Sequence, residues 1–111
     1  MNYTIKNQKL TLEISSRGGE FQSIRDAQGR EYLWQGDAAT WTDRGPNLFP
    51  YIGRMTDQSY TYQGQTYHMD IHGFLPTAEL NLVEHKEEEL TLRLEDSPET
   101  ERQYPFKFVL D

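Results

Sequence analysis

Two residues of this chain, an arginine and a histidine that each adjoin a glycine, are suited by type and spacing to bind a polar ligand. Arg54 closes an otherwise apolar segment, punctuated by Gly and Pro, that runs from residue 44 to residue 54. His72 precedes Gly73 in a second segment downstream. A guanidinium stays charged and offers several donors in one plane, whereas an imidazole titrates near neutral pH. Glycine permits tight turns in these loops and proline restricts their backbone. Groups placed in such loops predict a pocket for a polar ligand.

Each candidate also has a structural interpretation. Arg54 could form a surface ion pair, and His72 could be a structural histidine with satisfied hydrogen bonds. Arg44, in the loop before the Pro-rich run, is either a second ligand-binding cation or a solvated loop residue. Trp41, inside the long loop, is the better candidate to line a pocket, whereas Trp34 ends an apolar strand and is expected to pack in the core.

The other histidines are assigned no role. His85 falls in a charged hairpin tip, and His68 falls in a predicted strand. A strand continued through these positions would place His68, Asp70 and His72 on one face, which is weak evidence for a metal site. No metal site is therefore predicted.

Alternation of apolar and polar residues predicts the elements that position these groups. Residues 10–14, 80–83, 90–94 and 106–110 alternate with a period of two, which is typical of half-buried strands. Further short strands are predicted beside Gly-containing turns, at residues 21–25, 31–34, 60–62 and 66–69. The charged run at residues 84–89 predicts a solvated hairpin tip. No segment has a helical period, so the predicted fold class is all-β, an antiparallel β-sandwich.

Composition excludes several classes of protein. A net charge of −7 argues against nucleic acid and anionic membranes as partners. The absence of cysteine excludes disulfides, zinc–thiolate sites and a cysteine nucleophile. No apolar run approaches the roughly 20 residues of a membrane span, and the first residues lack a signal-peptide pattern. A cytoplasmic location is predicted.

An ordered series of short motifs runs through nearly the whole chain. It consists of Gly18-Gly19-Glu20, Glu31-Tyr32-Leu33-Trp34-Gln35-Gly36-Asp37, Trp41, Asn47-Leu48-Phe49-Pro50, Gly53-Arg54, His72-Gly73-Phe74 and Tyr104-Pro105-Phe106. The series resembles the galactose mutarotase (aldose 1-epimerase) superfamily, in particular its LacX-like branch. The resemblance implies a galactose mutarotase-like supersandwich. Because family members are considerably longer, it also implies that residues 1–111 are the N-terminal, incomplete portion of an aldose 1-epimerase domain.

The resemblance further implies an activity, the interconversion of sugar anomers by opening and reclosing the hemiacetal ring. It implies that Arg54 and His72 bind the substrate and that His72 takes part in catalysis by stabilising charge on a sugar oxygen. Wider mutarotases have an Asn-Arg pair where this chain has Gly53-Arg54, so only the arginine contact is implied. Sugar-phosphate epimerases of the superfamily have an Arg-Gly near Arg44 that contacts phosphate. The expected substrate is therefore an aldose or a sugar phosphate.

The same resemblance limits what this chain does alone. The family's glutamate base and histidine acid lie beyond the region that the chain covers, and the family needs no metal or cofactor. Residues 1–111 are therefore expected to position a sugar without catalysing its mutarotation. Two alternatives remain open: a non-catalytic carbohydrate-binding β-sandwich with Trp41 and several tyrosines as a stacking face, and a structural domain. Unpaired strand edges predict self-association.

Overall fold

The computed structural model describes all residues, Met1–Asp111, and its regular elements are mostly antiparallel strands. The first sheet contains β1 (Asn2–Lys6), β2 (Leu10–Ser15) and β3 (Phe21–Asp26) in that order. The register places Ile5 beside Leu12 and Leu12 beside Ile24. Directly opposed residues share a face of a sheet, so these apolar side chains form one face while the intervening polar residues form the other.

A hairpin follows the long loop. Strands β4 (Ser59–Tyr62) and β5 (Gln65–His68) pair around a turn at Gln63 and Gly64, both with positive φ. Tyr60 and Tyr67 lie opposite each other, and their rings stack with centroids 5.4 Å apart. A cross-strand aromatic pair of this kind stabilises a short hairpin that has few other contacts.

The third sheet has the order β6 (Asn81–His85), β7 (Leu90–Glu95) and β8 (Val109–Leu110). The helix α1 (Pro98–Glu101) is a single turn between β7 and β8. Ser97 caps it, because its side chain accepts from the Thr100 amide while the Thr100 hydroxyl oxygen accepts from the Ser97 amide. Proline at the first helical position completes a local start signal that needs no longer helical pattern.

The segment 16–18 joins the first sheet to the third. The Leu80 amide donates to the Ser16 carbonyl at 2.9 Å, and the Gly18 amide donates to the Ala78 carbonyl at 2.7 Å. The buried apolar cluster lies at this junction and consists of Ile14, Met69, Phe74, Leu75, Leu80, Leu92 and Leu94. Only 12 of the 111 residues are buried, so this core is small for the length of the chain.

The predicted all-β, antiparallel class is confirmed, whereas several local predictions are wrong. Residues 31–34 form no strand and contribute only an isolated bridge between Arg25 and Glu31. The strand predicted at 106–110 is reduced to Val109–Leu110. The amide of Phe108 donates to the Asp96 carboxylate at 3.1 Å, while the Phe108 carbonyl accepts from the Asp96 amide at 3.2 Å. The predicted tip at 84–89 is confirmed as the β6–β7 turn, although its first two residues belong to β6.

Candidate functional site

His72 lies in a loop that backbone hydrogen bonds connect to residues 49–53. Its φ of 69° is in the left-handed region, which a residue with a branched or aromatic side chain rarely occupies. Its amide donates to the Gly53 carbonyl at 3.0 Å, and its own carbonyl accepts from the Phe49 amide at 3.2 Å. A costly backbone conformation persists only where the surroundings enforce it, and such positions are concentrated at functional sites.

Gly73 permits this conformation. It has a φ of 76°, and a Cβ atom at this position would collide with the carbonyl oxygen of Phe49. That oxygen accepts from the amides of Phe74 at 3.0 Å and Leu75 at 3.1 Å. Glycine at this position therefore permits the close approach of the two backbone segments. Segments 49–53 and 70–75 contact each other where they cross. The hydrogen bonds at this crossing fix the direction of the His72 ring.

The hydrogen bonds of His72 determine its tautomer. Its Nδ1 contacts the carbonyl oxygen of Ile52, and a carbonyl can only accept. Nδ1 therefore carries the proton and donates. In the neutral ring the other nitrogen, Nε2, is left as an acceptor, and it becomes a donor when the ring is protonated. His72 is half-buried, so a part of the ring is accessible to a ligand.

Arg44 shares a cavity with His72. Its amide donates to Glu20 Oε1 at 3.0 Å, and its Nε donates to the Gln22 carbonyl at 3.1 Å. The cavity has a volume of about 530 Å³, and its lining is mostly polar. The lining residues are Ser15, Arg17, Glu20, Gln22, Thr42, Asp43, Arg44, Pro46, Ile71, His72, Pro76 and Thr77. We call this cavity the polar pocket.

Asn47 connects the loop that contains Arg44 to the Gly18-Gly19 turn through hydrogen bonds. Its side-chain amide donates to the carbonyls of Gly18 and Gly19, each at 3.0 Å. Both glycines have positive φ, and a Cβ at Gly18 would meet the Pro76 carbonyl oxygen at 2.8 Å. The Gly-Gly turn therefore lets residues 44–47 and residues 75–78 approach the end of β2 from two sides.

Arg54 lines a different cavity. That cavity has a volume of about 560 Å³ and includes Tyr51, Tyr60, Met69 and Tyr104 in its lining. Arg54 is exposed and belongs to none of the ion pairs of the chain. The carbonyl before it, that of Gly53, holds the His72 amide. The two predicted residues are thus joined through their backbones, while their side chains line separate cavities.

Trp41 lies in the long loop and is 59% exposed. It lines neither cavity. Its carbonyl accepts from the indole Nε1 of Trp34 at 3.0 Å and from the Asp37 amide at 2.7 Å. The expectation that Trp34 packs in the core is wrong, since this side chain is 52% exposed. Residues 31–34 form no strand that would direct the ring inward, and the indole N–H closes the loop instead.

The remaining histidines have structural contacts. His85 Nε2 lies 2.8 Å from the Thr4 carbonyl oxygen, and its ring meets Tyr3 edge-on. β5 ends at His68, so Asp70 and His72 do not continue the strand face on which the weak metal signal depended. No group of three or more His, Asp and Glu residues is placed to hold a metal ion.

Sequence reasoning missed the acidic residues that hold the loops. Glu31 Oε2 accepts from the amides of Ile24 at 2.8 Å and Leu33 at 3.1 Å, and Oε1 accepts from the buried Ser23 hydroxyl. The Ser23 hydrogen bond lowers the pKa of Glu31, against the opposing effect of burial. Glu20 Oε1 accepts a hydrogen bond from the Arg44 amide. Neither role has a clear sequence signal, because Ser23 lies 8 residues from Glu31 and Arg44 lies 24 residues from Glu20.

Comparison with known proteins decides the family. The aldose 1-epimerase family model matches residues 1–111. The chain belongs to the aldose 1-epimerase family. Its curated relatives include the plasmid and chromosomal LacX proteins of Lactococcus lactis subsp. lactis, each 33% identical over 115 residues. The match takes in 99% of this chain and 38% of LacX, so the chain spans little more than a third of these relatives.

Solved structures of family members have the same fold. A galactose mutarotase related enzyme from Lactobacillus acidophilus is 41% identical with a TM-score of 0.95, and the match covers 98% of this chain and 37% of that one. A galactose mutarotase-like protein from Lactobacillus casei ATCC 334 is 32% identical with a TM-score of 0.92 and the same coverage. The predicted galactose mutarotase-like, all-β sandwich is confirmed. No helix of the chain has the length and apolar character needed to cross a membrane.

Proposed function

We propose that this chain forms the sugar-positioning part of an aldose 1-epimerase-like activity. Mutarotation opens the hemiacetal of an aldose, turns the exposed carbonyl, and recloses the ring on its other face. A base removes the anomeric hydroxyl proton while an acid protonates the ring oxygen. Groups that only orient the sugar and stabilise developing charge form a separate part of such a site. Arg44, Arg54 and His72 belong to this second class.

The observation that carries the proposal is the fixed orientation of His72. The Ile52 carbonyl holds the Nδ1 proton, which leaves Nε2 to accept from a sugar hydroxyl or, when protonated, to donate to a sugar oxygen. Because the ring is already held before a ligand arrives, binding costs little further conformational entropy. Hydrogen bonds to Gly53, Phe49 and Ile52 hold both the backbone and the ring of His72.

The two arginines favour a ligand that is rich in oxygen and carries negative charge. Arg44 has Nε engaged with Gln22, so its terminal guanidinium nitrogens remain for a ligand. Arg54 has no carboxylate partner in the chain and contributes hydroxyl or phosphate contacts from the neighbouring cavity. A sugar phosphate should therefore bind more tightly than the free aldose, with Arg44 responsible for the difference.

The general acid and the general base are proposed to come from residues outside 1–111. Of the carboxylates and the histidine in the polar pocket, Glu20 is engaged by the Arg44 amide and Nδ1 of His72 is engaged by Ile52, while Asp43 is exposed to solvent. The general acid–base contribution, about 10²–10⁴ in rate, is therefore not expected from residues 1–111 alone. We expect sugar binding without turnover. A cytoplasmic location also remains part of the proposal.

The test combines a binding measurement with a rate measurement on the purified chain. Titration with galactose and with galactose 6-phosphate, followed by amide NMR shifts, should perturb residues 42–54 and 70–77 at millimolar concentrations. Anomer exchange, followed by two-dimensional exchange NMR, should stay at the uncatalysed rate. His72→Asn is the matched variant, because Asn tolerates positive φ and keeps a donor for Ile52 but lacks Nε2.

Weaker sugar binding by His72→Asn, with an otherwise unchanged amide spectrum, would support the proposal. Equal binding by both proteins would contradict the role of Nε2. Catalysis by the wild-type chain that disappears in His72→Asn would contradict the assignment of catalysis to other residues.

One observation favours the alternative of a non-catalytic carbohydrate-binding module. Trp41 and Tyr32 are each 59% exposed in the same loop, and exposed aromatic rings can stack on the apolar face of a sugar. Trp41→Ala separates the two functions. Under the alternative this change abolishes sugar binding, whereas under the proposal it leaves binding at His72 and Arg44 nearly unchanged.

A further inference from the structure

The segment from Leu33 to Leu48 is attached to the rest of the chain through side chains rather than through its backbone. No backbone–backbone hydrogen bond joins it to another segment. The two that it contains are internal, from the Asp37 amide to the Trp41 carbonyl at 2.7 Å and from the Thr40 amide to the Asp37 carbonyl at 3.0 Å. None of its residues is buried. Segments with few buried contacts and few backbone hydrogen bonds move at a low cost in free energy.

Within itself, the segment is closed between residues 34 and 42. The indole Nε1 of Trp34 donates to the Trp41 carbonyl at 3.0 Å. Gly36 has a φ of 83°, and a Cβ atom there would lie 2.5 Å from the Thr42 carbonyl oxygen. Glycine therefore lets the two limbs of the loop approach each other closely. A unit that is closed internally and attached by few contacts can move as one body about its attachment points.

Both ends of this unit are attached to one acceptor, the carbonyl oxygen of Gln22. It accepts from Gln35 Nε2 at 2.9 Å and from Arg44 Nε at 3.1 Å. The register between β2 and β3 skips Gln22, which makes it the extra residue of a β-bulge. The extra residue of a bulge is left unpaired by the ladder, and bulges are frequent beside functional sites. The Gln22 carbonyl can therefore serve as a hinge point.

The same unit carries part of the wall of the polar pocket. Thr42 and Asp43 line the pocket, although both residues are exposed. We propose, resting on the function proposed for this pocket, that residues 35–43 form a lid that is hinged at the Gln22 carbonyl and closes over an anionic sugar ligand held by Arg44. Gln35 lies outside the pocket lining and acts as a positioning residue for the lid.

A ligand closes the lid only if it binds the closed arrangement more tightly than the other arrangements. The Nε of Arg44 stays on the Gln22 carbonyl while its terminal nitrogens hold a phosphate, so a phosphate orders the hinge itself. Thr42 and Asp43 then meet the sugar hydroxyls, and these contacts exist only when the lid is closed. Free galactose lacks the charged group and should not close the lid.

The chain contains its own reporter of this movement. Trp34 and Trp41 are its only tryptophans; Trp41 lies in the lid and Trp34 is hydrogen-bonded to it. The purified chain is titrated with galactose 6-phosphate and with galactose. Saturation with the phosphate should reduce acrylamide quenching of the fluorescence and slow hydrogen exchange at the amides of residues 36–43. Galactose should change neither.

Two matched variants test the hinge. Gln35→Leu removes one donor group from the Gln22 carbonyl without changing the pocket lining. It should weaken binding of galactose 6-phosphate about fivefold, as expected for one ordinary hydrogen bond, and leave galactose binding unchanged. Gln28→Leu makes the same exchange at an exposed residue in the turn after β3 and should affect neither ligand. A merely structural role of Gln35 would weaken both ligands equally and would overturn the proposal.

The failure of the lid can be distinguished from failure of the proposed function. If the phosphate perturbs the amides of residues 70–77 but leaves fluorescence and exchange at 36–43 unchanged, the lid is wrong and the proposed function stands. If neither ligand perturbs residues 70–77, the proposed function is wrong and the lid with it. Closure by galactose as complete as closure by the phosphate would contradict the role of Arg44 at the hinge.

Discussion

Glu20 and Phe21 are neighbours in sequence, yet they belong to two unlike regions of the molecule. Glu20 lines the polar pocket and accepts from the Arg44 amide, so its contact is satisfied within the chain. Phe21 lines an apolar cleft between the first and third sheets and remains 43% exposed. Phe21 and Gln22 are successive residues of β3 and point to opposite faces, and Gln22 lines the polar pocket together with Glu20, which is why one sheet can serve both regions.

The two regions differ in whether their side chains find partners within the chain. In the polar pocket, hydrogen bonds from distant segments hold His72 and Arg44 before any ligand is present. In the cleft, apolar side chains from two sheets face a space that nothing in the chain fills. Polar groups can be satisfied by a few short contacts, whereas an apolar face needs a large complementary surface. Changes in the pocket should therefore affect both folding and ligand binding.

The largest effect is expected at Gly73. Gly73→Ala places a methyl group against the Phe49 carbonyl at a positive φ, and a loss of about 4 kcal/mol in unfolding free energy follows. Gly29→Ala is the matched control, because Gly29 has a φ of 85° and open space around it. That change should cost only about 1 kcal/mol. Urea denaturation of both variants measures the contrast, and equal losses would contradict the importance of the crossing.

A smaller effect is expected at Glu20. Glu20→Leu removes the acceptor of the Arg44 amide and should cost about 1 kcal/mol of stability. It should also weaken sugar-phosphate binding. Glu20→Gln keeps an acceptor oxygen and serves as the control. An equal loss of stability in the two variants would contradict the role of the Glu20 oxygen in holding the loop.

The smallest expected effect is on the dependence of folding stability on acidic pH. The Ser23 hydroxyl lowers the pKa of Glu31 in the folded chain from its ordinary value of 4.5. The ionised carboxylate therefore stabilises the fold above about pH 4.5, and this contribution is lost as the pH falls through the lowered pKa. Glu31→Gln should flatten the dependence of stability on pH below 4.5. The measurement is denaturation of both proteins between pH 3 and 6, and parallel curves would contradict the role of Glu31.

Much of the fold followed from sequence pattern. Strand β2 was predictable because Leu10, Leu12 and Ile14 alternate with polar residues, and the β6–β7 turn because charge runs are solvated. The prediction was wrong at residues 31–34, where the apolar residues Leu33 and Trp34 follow Glu31 without a partner strand. An apolar run indicates burial only when another element covers it, and sequence alone does not show which element is near.

The candidate site divides in the same way. The residue types establish which chemistry is available: a guanidinium at Arg54 and Arg44, an imidazole at His72, and a glycine at 73 that allows an unusual backbone. Which of these groups meet depends on contacts in the folded chain. The fold placed Arg44 rather than Arg54 in the cavity of His72, and it used Ile52 to fix the His72 tautomer. The reason is physical: residue types carry their chemistry locally, whereas distances depend on contacts between segments far apart in the chain.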